Sequence, residues 1–109
     1  MIFDIINEKA EAIPNFKGGE KYLSAKMHYD GMNRFLHGCL VPGATIGEHT
    51  HDENSEVIYI LSGKGHVLYD GELLEVSEGQ VHYCPKGHSH SLINDSDGDL
   101  VFFAVVPNQ

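Results

Sequence analysis

The chain has 109 residues, one domain's worth of sequence, since domains usually run to about 100–150 residues. Sixteen Asp and Glu oppose seven Lys and Arg, for a formal charge of −9. That balance excludes the basic footprint a phosphate backbone requires, so neither nucleic acid nor an anionic membrane surface is an expected partner. Apolar residues at 41%, before 12 Gly are counted, exclude a wholly disordered chain.

Residues 1–8 lack a basic leader, and Asp4 interrupts their apolar run, so they do not read as a secretory signal. No stretch approaches the roughly 18 apolar residues of a membrane span. The two cysteines, Cys39 and Cys84, are too few for a disulfide framework and share no C-x-x-C spacing. They are expected as reduced core thiols in a cytoplasmic protein, with a pocket-facing Cys84 as the alternative.

Residues 1–23 read as a mixed N-terminal segment, with a helical hint at 7–12 and a loop at 15–19. Residues 24–109 read as short strands cut by turns. The β-rich runs are 34–41, 57–61, 66–69, 73–76, 81–84, 90–93 and 100–106. Strands this short and this evenly spaced predict an all-β sandwich or barrel. Asp70-Gly71 between two runs predicts a tight hairpin, because both turn positions take positive φ. No helical period lasts long enough to supply the crossovers of a parallel sheet.

Histidine is the anomaly. Six of the eight fall between residues 49 and 90. His49 and His51 are two apart, so on a strand both imidazoles share a face. Glu56 follows five residues later, beyond a loop that lets the chain reverse, and His90 opens a later strand. Imidazoles plus one carboxylate suit a divalent transition metal (Mn, Fe, Ni, Zn, Co or Cu) and are a poor cage for Ca²⁺. The competing reading is a surface His-x-His in a loop.

At these residues the chain resembles the cupins. Gly43, His49, His51, Glu56 and Gly63 stand at the spacing G-x5-H-x-H-x4-E-x6-G. Gly79, Pro85, Gly87, His90 and Asn94 stand at G-x5-P-x-G-x2-H-x3-N, with 15 residues between the two motifs. The resemblance implies a double-stranded β-helix, or jelly-roll barrel, with one divalent metal per chain held by His49, His51, Glu56 and His90. It makes the glycines and Pro85 turn residues and gives Asn94 the task of tying a turn to the backbone.

The remaining candidates stay open. Alternation sets His82 and Cys84 on one face of their strand and Val81 and Tyr83 on the other, without saying which faces inward. His88 belongs to the pocket rim or to solvent. His28 and His66 read as surface positions, and His37 as surface or pocket lining. Arg34, the sole arginine, is either an exposed strand-end charge or the one available bidentate partner for a carboxylate. Tyr59, Phe102 and Phe103 read as packing residues.

Four protein ligands on a six-coordinate metal leave two positions for water or ligand. The expected function is therefore a metal-dependent cupin acting on an oxygen-rich, metal-chelating small molecule by oxidoreductase or isomerase/lyase chemistry. The alternative is a non-catalytic, metal-dependent binding or sensing module. The −9 charge argues for a neutral or singly charged chelator. The apolar residues Ile2, Phe3, Ile5 and Ile6 point to a homodimer.

Overall fold

Alternation of apolar and polar residues divides the chain into ten strands, all paired antiparallel. The computed structural model describes residues 1–109. The strands are β1 (Glu11–Pro14), β2 (Tyr22–Tyr29), β3 (Asn33–Leu40), β4 (His49–Thr50), β5 (Glu56–Ser62), β6 (Lys64–Tyr69), β7 (Glu72–Ser77), β8 (Val81–Cys84), β9 (Ser89–Ile93) and β10 (Leu100–Pro107). A six-stranded sheet runs β1-β2-β3-β10-β5-β8, and a four-stranded sheet runs β4-β9-β6-β7. The two face each other across the core as a cupin-like jelly-roll sandwich, with alternate side chains buried along β2, β3, β5, β6, β8 and β10.

Register shows how the inner face is built. One row crosses the large sheet through Met27, Leu36, Ala104, Ile58 and His82. The row nearer the open end runs Tyr29, Arg34 and Val106 on β2, β3 and β10, then Glu56 and Cys84 on β5 and β8. Deeper positions are filled by Leu23, Leu40, Ile60, Leu92, Leu100 and Phe102, all fully or almost fully buried. The core thus closes one end of the sandwich and leaves polar residues at the other.

Turn chemistry sets the connections. Asp70 (φ 48°) and Gly71 (φ 83°) form the expected hairpin between β6 and β7. Gly63 (φ 88°) joins β5 to β6 where a Cβ would stand 2.3 Å from the Asp99 carbonyl oxygen, so only glycine fits. Asn94 is fully buried. It donates to the Leu40 and Gly98 carbonyls at 2.7 and 2.8 Å and accepts from Ser96, which ties the 94–98 turn to β3.

The N-terminal segment departs from the helical hint at 7–12. A single 3₁₀ turn (Ile5–Asn7) is followed by extended chain, and β1 pairs with β2. A helix of six residues cannot offset its nucleation cost, whereas β1 gains a ready sheet edge. A second 3₁₀ turn (Phe16–Gly18) docks on the chain just before β4. There Gly47 lies so close that a Cβ would sit 1.9 Å from the Lys17 carbonyl oxygen. Both cysteines are free, and no helix is long and apolar enough to cross a membrane.

Candidate metal centre

His49 opens β4 directly opposite His90 on β9. Backbone hydrogen bonds from His51 to His88 and from Gly87 to His51 carry the pairing past the end of β4. His51 is thereby held on the face that His49 uses. Glu56 is the first residue of β5, on the opposing sheet. The loop 52–55 lets the chain cross from one sheet to the other within five residues.

The four side chains meet between the sheets. Glu56 Oε1 lies 3.1 Å from His51 Nε2, 3.0 Å from His90 Nε2 and 4.0 Å from His49 Nε2. The Nε2 atoms of His51 and His90 are 2.9 Å apart. The three rings are mutually inclined at 64–69°, with centroids 4.8–4.9 Å apart, like blades of a propeller. The four form a group that could hold a metal ion.

What lies behind the rings decides their chemistry. His49 Nδ1 is 2.8 Å from the Gly47 carbonyl oxygen, and His51 Nδ1 meets Asn54 Oδ1. His90 Nδ1 is 2.9 Å from His82 Nε2. A ring that donates its Nδ1–H backwards keeps an Nε2 lone pair pointing forwards. Three such lone pairs and a carboxylate crowd into one small volume, an arrangement that a divalent cation relieves and that suits a borderline transition metal.

Without a cation, Glu56 accepts hydrogen bonds from the Nε2 atoms of His51 and His90 instead. Burial alone would raise the Glu56 pKa, but hydrogen bonds from His51 and His90 outweigh it and hold the carboxyl at about 2. Burial lowers His49 from its ordinary value, against the pull of the Gly47 carbonyl. His51 moves the other way, because its hydrogen bond to Glu56 exceeds its own desolvation. Burial brings His82 down to about 4, so it stands neutral behind His90 at neutral pH.

The strand 81–84 resolves in favour of His82 and Cys84 facing inward. His82 is 8% exposed and Cys84 is fully buried, while Val81 and Tyr83 are more than half exposed. Burial pushes the Cys84 thiol up to about 11, so it remains a protonated core thiol. His88 lies outside, 2.5 Å from Asp70 and within reach of the Tyr69 hydroxyl. His66 pairs with Asp95 at 2.7 Å. His28 stacks on Phe3, and His37 lies on the outward-facing side of β3, away from the four clustered residues.

A cavity of about 150 Å³ opens onto His49, His51 and Glu56. Arg34 and Lys17 line it, together with Asn54 and six apolar residues. Arg34 is exposed, as a strand-end charge would be, yet it stands on the inner face with its guanidinium 5.0 Å over the Tyr29 ring. Phe16 and Lys17 come from the second 3₁₀ turn, within the segment 15–19 expected as a loop. The largest surface cleft, about 810 Å³ between the β6–β7 hairpin and residues 95–97, contains none of the four clustered residues.

Comparison with known proteins places this arrangement. The cupin-domain family profile matches residues 36–106, which include every position of both motifs. The chain is a cupin. It is similar to a Thermotoga maritima protein named "oxalate-binding protein", 32% identical over 102 residues and spanning 88% of this chain and 84% of the relative. Its backbone superposes with a TM-score of 0.93 on the crystal structure of a predicted oxalate decarboxylase, also from Thermotoga maritima. There the identity is 29% and both chains are covered completely. More distant cupins share the fold alone. The polyketide cyclase RemF from Streptomyces resistomycificus gives a TM-score of 0.80 at 22% identity, over 98% of this chain and 78% of the other. KdgF from a Halomonas species gives 0.79 at 16% identity, over 100% and 94%.

Proposed function

We propose that this cupin binds a chelating carboxylic acid at one divalent transition metal held by His49, His51, Glu56 and His90. One observation carries the reading. The cavity that opens on His49, His51 and the Glu56 carboxylate also contains the chain's sole arginine and Lys17. The bound metal would supply Lewis acidity and open coordination positions to a pair of ligand oxygens. Lys17 and Arg34 would offer charge-assisted hydrogen bonds to the carboxylate. The oxalate named for the Thermotoga maritima relative belongs to this ligand class.

The cavity favours binding over turnover. Apart from His49, His51 and Glu56, its titratable side chains are Lys17 and Arg34; no further His, Tyr, Asp or Glu lines it as an acid or base. Oxidoreductase or isomerase/lyase chemistry, the second reading, would have to draw on the metal itself. The description of the 29%-identical structure as a predicted oxalate decarboxylase keeps that reading in play. The test is anaerobic purification with elemental analysis, followed by incubation of the metal-loaded protein with oxalate, with and without O₂. Recovery of unchanged oxalate from a saturable complex supports the binding module, and its consumption supports the enzyme. Failure to retain metal or oxalate overturns both.

A cytoplasmic setting accords with the two free thiols. Association as a homodimer is supported by Ile2 and Ile6, which are exposed, and by Val57, Tyr59, Val81 and Tyr83 on the outer face of the large sheet. A monomeric mass by light scattering at micromolar concentration overturns the dimer.

A further inference from the structure

The cavity is built for more than two oxygens. Half of its twelve lining residues are apolar: Phe16, Leu23, Met27, Leu36, Ile46 and Val106. They are not scattered. Met27 and Leu36 are cross-strand partners, and Val106 is paired with Arg34 one row nearer the mouth. Ile46 and Phe16 close the opposite side, where the Gly47 amide donates to the Phe16 carbonyl at 3.0 Å. The cationic groups and the metal-binding atoms therefore share the cavity with a continuous apolar wall.

Oxalate has no atom for that wall. With oxalate bound, the half-buried side chains of Phe16, Met27 and Val106 would still face water, and their burial would contribute nothing to affinity. The register also spaces the polar groups. Arg34 and Glu56 stand on strands separated by β10, about 10 Å apart at roughly 4.8 Å per strand. Between them lies the Val106 side of the wall.

We propose that the ligand is a 2-oxo or 2-hydroxy monocarboxylic acid carrying a short apolar side chain. This rests on the chelation reading above and narrows it. The carboxylate and the adjacent oxygen serve the metal, the outer carboxylate oxygen faces Lys17 and Arg34, and the side chain lies on Met27, Leu36 and Val106. A volume of about 150 Å³ equals about five waters at roughly 30 Å³ each. The side chain is thus limited to a few carbons.

The experiment is a calorimetric titration of the Mn-loaded protein with pyruvate, 2-oxobutyrate, 2-oxopentanoate and 2-oxooctanoate. Oxalate serves as the chelator without a side chain, and pentanoate as the side chain without a chelator. Each added methylene is expected to tighten binding about fourfold, so 2-oxopentanoate binds about fifteenfold more tightly than pyruvate. The gain stops before 2-oxooctanoate, and pentanoate binds poorly. Met27→Gln, at a half-buried position of similar volume, reduces the ratio between 2-oxopentanoate and pyruvate. Equal affinities along the series, with oxalate the tightest ligand, overturn this inference and leave the chelation reading standing. No binding of any acid, oxalate included, overturns both.

Discussion

His82→Leu tests how the proposed metal ligands are oriented. His90 is only 2% exposed, and its Nδ1 has His82 Nε2 as its sole hydrogen-bond partner, at 2.9 Å. Binding a metal through Nε2 requires the proton on Nδ1, and His82 accepts it. Leucine nearly preserves the volume but removes the acceptor. Without metal, His90 has an alternative: the proton can move to Nε2 and be donated to Glu56 Oε1, 3.0 Å away. With metal bound that tautomer is closed, and a buried N–H is left unpaired. The cost of such a group is about 1–3 kcal/mol, and 1.4 kcal/mol is tenfold in an equilibrium constant. Metal affinity should therefore fall about 10- to 100-fold, the range typical of lost partners behind a ligating imidazole. Competition with a chromogenic chelator at pH 7.5 reads this directly, and melting of the metal-free variant checks that it folds. His82→Gln, which restores an acceptor oxygen, should recover part of the loss. A folded His82→Leu protein with wild-type metal affinity would refute the reasoning.

Removing both rings from β4 and the residues after it, by His49→Ala with His51→Ala, should abolish stoichiometric metal while the fold persists, because neither ring belongs to the apolar core; full retention by elemental analysis rejects the ligand set. Metal affinity should fall as pH drops from 8 to 5, since the cation displaces protons. His51 sets where the fall begins: Glu56 raises its pKa, so it holds its proton to a higher pH than His49, whose pKa burial lowers. A flat affinity across that range rejects the competition. Gly47→Ala should lift the Phe16–Gly18 turn away from the site, because the added carbon would lie 1.9 Å from the Lys17 carbonyl oxygen. A lower melting temperature and weaker carboxylate binding are expected, and unchanged values for both would show that the turn is no part of the cavity.

The barrel was readable in the sequence because period-2 alternation and turn residues are local signals. Every β-rich run expected from residue 34 onward is a strand, shifted at its ends by two residues or fewer. β2 carries the same alternation, with Leu23, Ala25 and Met27 against Ser24, Lys26 and His28, and the sequence reading gave it no separate run. The grouping of His49, His51, Glu56 and His90 was legible because a motif fixes spacing, and spacing on paired strands fixes faces. Which face of β8 turns inward was not legible. Alternation says that His82 and Cys84 travel together, but direction depends on the pairing of Ile58 with His82 across to β5. Hydrophobicity would have chosen the wrong pair, since Val81 and Tyr83 are the ones left outside. The Phe16–Lys17 wall was hidden for a different reason. It depends on Gly19 and Gly47 allowing two segments far apart in sequence to touch, and no local pattern records such an approach.

A net charge of −9 favours a neutral or singly charged ligand only if that charge acts at the site. Screening confines exposed charges to about 8 Å at physiological ionic strength, and most of the acidic residues lie outside the cavity. Within it, Glu56 is opposed by Arg34 and Lys17, so the local balance is already positive before a metal is counted. A divalent ion shifts it further in the same direction. Metal and anion should therefore bind cooperatively, because each brings charge that attracts the other. Reciprocity gives a direct check. Oxalate or a 2-oxo acid should raise the affinity for Mn²⁺ by the same factor by which Mn²⁺ raises the affinity for the acid. Measured by calorimetry in both orders, with correction for the acid's own binding of free metal, a factor of one would place the acid and the metal in separate, uncoupled sites.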